Sequence, residues 1–177
     1  MARPEDKTVL VVDDEPDIVM YLRTALEDAG FNVVTASDGQ DALEIVGKSI
    51  PDFISLDLVM PRKSGIKFFH ELRRKREWVR IPVMVVTGHA RDEKGSKDLN
   101  EILSEKTMSG PGLYLEKPVK AAEFVRAVAD ALDVELPEAS VPGVDPDDLR
   151  RQARQAVDRA SPEELAAALE ILRRQKG

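Results

Sequence analysis

Five short apolar runs recur along the first two thirds of the chain: TVLVV from Thr8, FNVVTA from Phe31, FISL from Phe53, VMVVT from Val83 and LYL from Leu113. They are rich in β-branched residues and mostly lack strict polar alternation, the pattern of strands buried on both faces of a parallel sheet. Between them the apolar positions recur at helical spacing. Ile18, Leu22, Ala25 and Ala29 share a face, with Pro16 suited to a first helical turn and Gly30 ending the run. Ala42, Leu43 and Val46 mark a second helix, Ile66, Phe69 and Leu72 a third, and Ala121, Val125, Val128 and Leu132 a last one starting near Pro118. The fourth connection, residues 91–112, is interrupted by Gly95 and reads as a helix plus a loop. Strand and helix alternating five times predicts a doubly wound α/β fold with right-handed crossovers. In such sheets ligands sit beyond the carboxyl ends of the strands, where strand order reverses.

From Asp133 the pattern breaks down. DVELPEASVPGVDPDD carries three prolines and a glycine and reads as a linker. Two short helices follow, one capped by Asp145 with Pro146 just inside it, the other opening at SPEE with Ser161 and Glu164 at capping-box spacing. Their thin apolar stripe, Leu149, Ala153, Ala156 and Val157 and then Leu165, Leu169 and Leu172, needs another surface to lean on. The expected organisation is a body over 1–132, a linker over 133–145 and a two-helix C-terminal tail over 146–177.

Composition narrows the function classes. A net charge of -7 argues against binding nucleic acid by overall charge, and the absence of cysteine excludes disulfides and thiolate metal sites. The start, MARPEDKT, lacks the apolar stretch of a signal peptide, and no apolar run is long enough to span a bilayer. A soluble cytoplasmic protein is expected. The basic run RRKREW from Arg73 reads as a solvated helix end, and neither His70 nor His89 suggests a ligand role.

The residues beyond each strand are less ordinary. Asp13 and Asp14 follow the first strand, Asp57 stands at the end of the third, Thr87 follows the fourth and Lys117 lies just past the fifth. On the predicted fold they converge on one rim. Carboxylates about 4 Å apart repel by roughly 4 kcal/mol at an effective dielectric near 20, more than one lysine offsets for three of them. A hard cation with oxygen ligands does so, and Mg²⁺ also bridges to phosphate. Given a metal, Asp57 can act as a nucleophile toward phosphorus, with Mg²⁺, Lys117 and the Thr87 hydroxyl each taking one equatorial oxygen.

VLVVDDEPD, SLDLVMPRKSG, VVTGHA and YLEKPV together resemble, in order and at similar spacing, the four signatures of the receiver domain of bacterial two-component response regulators, over about residues 7 to 132. The resemblance implies a flavodoxin-like five-stranded parallel sheet of order 2-1-3-4-5. It implies a phosphoacceptor at Asp57, direct Mg²⁺ ligation by Asp14 and water-mediated ligation by Asp13, and a metal ligand in the Val59 backbone carbonyl. It places Lys117 on the phosphoryl group with Pro118 following a cis peptide, and makes Thr87 and Tyr114 a switch pair. The implied donor is a histidine kinase or phosphotransfer protein, and the implied protein is a phosphoacceptor that takes part in its own phosphorylation and dephosphorylation, not a classical enzyme. Thr87 and Lys117 stand thirty positions apart (117 - 87), longer than is usual in this family, with SGPG before the fifth strand. The signalling face built from the fourth helix, fifth strand and fifth helix, and dimerisation through it, are therefore expected to differ.

The leading expectation is a phosphorylation switch whose output is protein contact, the tail dimerising or gripping a partner. A DNA-binding regulator ranks lower: residues 141–177 hold seven basic against seven acidic side chains and fit two helices, whereas a helix-turn-helix needs a supporting third. A Mg²⁺-dependent aspartyl phosphatase of the haloacid-dehalogenase type ranks lower still, because DDEPD lacks its two aspartates spaced one residue apart.

Overall fold

The inner strand β1 (Thr8–Val12) buries every residue after its first. It pairs in parallel with β2 (Asn32–Ala36) on one side and β3 (Phe53–Leu56) on the other. Beyond β3 come β4 (Val83–Thr87) and β5 (Tyr114–Glu116), both parallel. The order β2-β1-β3-β4-β5 is that of the flavodoxin-like doubly wound sheet. This computed structural model describes residues 2–60, 62–88, 97, 100, 102 and 114–136. His89, most of the fourth connection, the linker beyond 136 and the helices expected in 146–177 lie outside the described residues.

Side chains along each strand alternate between two cores. Leu10, Val12, Ile54, Leu56, Val83 and Val85 face one, filled by α2 (Gly39–Lys48) and α3 (Gly65–Arg74) through Ala42, Val46, Phe68, Phe69 and Leu72. Val9, Val11, Phe53, Met84 and Val86 face the other, covered by α1 (Pro16–Asp28) and α4 (Ala121–Leu132). Burial on both faces holds for β1, β3 and β4 only. β2 exposes or half-exposes every residue but Ala36, and no residue of β5 is fully buried, because each is an edge strand.

Local chemistry explains the element ends. Pro16 opens α1, and the Asp38 carboxylate caps α2 by accepting the N–H groups of Gln40 and Asp41 at 2.8 and 2.9 Å. The end of α3 is not simply solvated: Arg73 turns inward, donating to the carbonyls of Val79 and Ile81 and lying 4.7 Å from the Phe69 ring centre. Trp78, from the same basic run, is buried. After α4, Asp133 adopts a left-handed conformation and the chain turns back. Val134 then joins the second core and bridges Ala2. The first residues read as linker are thus held on the body.

Candidate functional site

The strand order reverses between β1 and β3, and the acidic residues sit beyond those two strands. The Asp13 amide donates to Ala36 O at 3.1 Å and the Asp57 amide to Val12 O at 2.9 Å, so sheet pairing fixes both backbones just past the strand ends. Asp13, Asp14 and Asp57 each offer a carboxylate oxygen within 4.8 Å of the others. Asp13 and Asp57 are 3% and 2% exposed, while Asp14 is partly open to solvent.

Lys117 reaches this cluster from the loop after β5, where its amide donates to Thr87 O at 3.1 Å and its peptide bond to Pro118 is cis. Its ammonium lies 2.7 Å from Asp13 Oδ2, 2.8 Å from Glu15 Oε1 and 3.6 Å from Asp57 Oδ2. Thr87, fully buried at the end of β4, hydrogen-bonds Asp57 through its hydroxyl. The Val59 amide lies 3.4 Å from Asp57 Oδ1. Tyr114 begins β5 opposite Val85, two positions before the register partner of Thr87, and packs against the first core. Asp13, Asp14, Asp57, Thr87 and Lys117 are thus gathered at one rim, and Tyr114 lies one strand away from Thr87.

Burial dominates the electrostatics. Loss of solvent pushes the Asp13 carboxyl above its ordinary range, with Lys117 and the Glu15 amide only partly offsetting it. Burial does the same to Asp57, aided by the Asp13 charge and opposed by Lys117 and Thr87. Burial would pull Lys117 down, but its hydrogen bonds to Asp13 and Glu15 and the charges of Asp57 and Asp13 outweigh it, raising its pKa to about 12. The donors are all hard oxygens, and one ammonium leaves two buried carboxylates incompletely neutralised. That set fits Mg²⁺, which would find ligands in Asp13, Asp14 and Asp57.

Lys117→Met should therefore destabilise the metal-free protein by about 1–3 kcal/mol at neutral pH, less than a fully buried broken pair because the site opens to solvent beside Asp14. The raised pKa means this contribution is complete below about 10.5 and disappears as pH rises through about 12. Urea unfolding checks it, and added Mg²⁺ should recover most of the loss.

The site includes residues that the sequence pattern did not assign. Glu15 shares Lys117, although its place directly after the aspartate pair was a signal. Gly65 opens α3 so close to β3 that a Cβ there would overlap the Asp57 carbonyl oxygen and lie 2.8 Å from Leu58 Cα. A glycine just inside a helix start was the available signal.

The family model described as the response regulator receiver domain matches residues 9–129. The chain belongs to the response regulator receiver domain family. The Bacillus subtilis alkaline phosphatase synthesis transcriptional regulatory protein PhoP is 34% identical over 139 residues, covering 77% of this chain and 54% of its own length. The receiver also matches the sensor histidine kinase TmoS of Ectopseudomonas mendocina, 32% identical over 128 residues that make 72% of this chain and 12% of that protein. Among solved structures, the chemotaxis protein CheY4 of Vibrio cholerae superposes with a TM-score of 0.60 at 26% identity, over 71% of this chain and 98% of that one. The chain spans about half the length of PhoP and of other curated regulators it matches. No helix among the described residues of this receiver is long and apolar enough to cross a membrane.

Proposed function

We propose that this receiver accepts a phosphoryl group on Asp57 from a phosphohistidine of a histidine kinase or phosphotransfer protein. The carrying observation is the convergence of Asp13, Asp14 and Asp57 within 4.8 Å around an ammonium held 3.6 Å from Asp57. An Asp57 carboxylate oxygen attacks phosphorus, the P–N bond breaks and its electron pair leaves on the imidazole. Lys117 and the Thr87 hydroxyl, both already beside Asp57, take phosphoryl oxygens. Mg²⁺, when bound by Asp13, Asp14, Asp57 and the Val59 carbonyl, supplies the charge neutralisation that the transfer needs. Thr87 would follow the phosphoryl group, and Tyr114 on the neighbouring strand would respond by turning inward.

Incubation with a small acyl phosphate and Mg²⁺ should give one acid-labile phosphoryl group per chain, mapped to Asp57 by peptide mass spectrometry. Steady hydrolysis of a phosphate ester, or a label elsewhere, would sink the reading in favour of a phosphatase or another acceptor.

The output follows from the tail, residues 146–177, as protein contact through dimerisation or a partner, since its balanced charge gives DNA little to hold. Cutting after Leu136 keeps Val134 on the core, so the shortened chain should be labelled at the full-length rate while its solution mass or partner binding changes. Loss of labelling would instead make the tail part of the catalytic body. Salt-sensitive, sequence-specific DNA binding by the full chain would favour the transcriptional alternative.

A further inference from the structure

Glu15 occupies the N-cap of α1, yet its side chain makes no capping hydrogen bond. An N-cap usually carries a short polar side chain that accepts from the first turn of its helix, and glutamate is too long to do this well. Its carboxylate reaches Lys117 instead, at 2.8 Å. The ammonium is thereby closer to Asp13 and Glu15 than to Asp57, by nearly an ångström. The backbone around it is pinned on both sides. The Lys117 amide donates to Thr87 O at 3.1 Å, and the Ala121 amide that opens α4 donates to the Tyr21 hydroxyl at 2.8 Å. Any approach of the ammonium to a group on Asp57 is therefore a side-chain movement, and Glu15 is the partner it must leave.

We propose that Glu15 is a positioning residue that tethers the Lys117 ammonium away from Asp57 in the unphosphorylated receiver, so that an incoming phosphoryl group must win Lys117 from it. The tether sets how readily the phosphorylated state forms without touching the reacting atoms. The inference rests on Asp57 being the phosphoacceptor. Asp13 is not equivalent to Glu15 in this role, because one Asp13 oxygen is already committed to the Glu15 amide at 2.9 Å and the residue is buried, whereas the Glu15 side chain is 58% exposed. Water can replace Lys117 at Glu15 with little loss.

The test uses the full chain and beryllofluoride with saturating Mg²⁺ as the phosphoryl mimic. Glu15→Gln should bind it about two- to five-fold more tightly than wild type, the size expected of an ion pair exposed on one side. Glu15→Asp discriminates tether from field. It keeps the charge, but its shorter side chain turns to cap α1 and cannot reach Lys117, so it should show the same gain. Affinity unchanged in Glu15→Gln, or a gain in Glu15→Gln that Glu15→Asp lacks, would overturn the tether, the second outcome meaning simple repulsion of the anion. Failure of wild type to take up beryllofluoride at all would overturn the phosphoacceptor reading itself. In metal-free protein without the mimic, the Lys117 ammonium resonance should shift in both variants, and a resonance unmoved by Glu15→Gln also overturns the tether.

Discussion

Asp57→Asn should take no phosphoryl group from a small acyl phosphate, and in metal-free buffer it should unfold at a higher temperature than wild type. The first effect follows from the nucleophile: a carboxamide oxygen has neither the charge nor the leaving chemistry to form a stable acyl phosphate. The second follows from burial. Asp57 is 2% exposed, and solvent loss together with the Asp13 charge raises its pKa above the ordinary 3.8 despite Lys117. A carboxyl with a raised folded pKa keeps its proton longer in the folded than in the unfolded state, so folding stability falls as pH rises from about the ordinary value through the folded one. Asparagine removes that window. It keeps an acceptor for the Thr87 hydroxyl, and Lys117 retains Asp13 and Glu15. The gain should be about 1–2 kcal/mol at neutral pH, or roughly 3 °C per kcal/mol for a chain of this size. It should shrink as pH falls toward 4 and shrink again in Mg²⁺, which relieves the same repulsion in wild type. Thermal unfolding across pH with a chelator or with Mg²⁺ measures this, and a variant less stable than wild type at neutral pH without metal would contradict the buried-charge account.

Gly65→Ala should cost about 3 kcal/mol, at the upper end of what overpacking usually does. A methyl group at this position would overlap the Asp57 carbonyl oxygen and crowd Leu58 Cα, and both are backbone. No side chain can rotate away to accommodate it. Relief requires α3 to shift from the end of β3, breaking the 3.0 Å hydrogen bond from the Gly65 amide to Leu58 O. Because Asp57 lies in that same stretch, the residual folded protein should also be labelled more slowly, by about 100-fold if the carboxylate moves by an ångström. Denaturant titration gives the stability and acyl phosphate labelling gives the rate. Wild-type stability in Gly65→Ala would mean that α3 does not press on the end of β3.

These two positions show different degrees of legibility. Asp57 stood out as a lone carboxylate ending an apolar strand, where burial without a purpose is costly, and its partners Asp13, Asp14, Thr87 and Lys117 stood out as the polar residues at the carboxyl ends of the other strands. The structure brings these five together. Gly65 carried no comparable mark, since the backbone it presses on belongs to another element. β1, β3 and β4 were legible because β-branched runs buried on both faces have few alternatives, whereas the run from Phe31 forms a strand only from Asn32. Periodicity marked α1 to α4 but not their full buried faces: Leu26, Phe68, Phe124 and Ala129 are buried as well, while Ile66 is only partly so.

The alternation of elements, the doubly wound class and the residue types at the strand ends are thus written in the linear chain, because each is encoded within a few neighbouring positions. Three-dimensional packing was needed to establish that Arg73 turns inward, that Val134 returns to bridge Ala2 and that Glu15 shares Lys117 across 102 positions of chain. Contacts of this second kind join segments remote in sequence. Their energies depend on distances that no local pattern records, so they exist only once the sheet has brought its strand ends together.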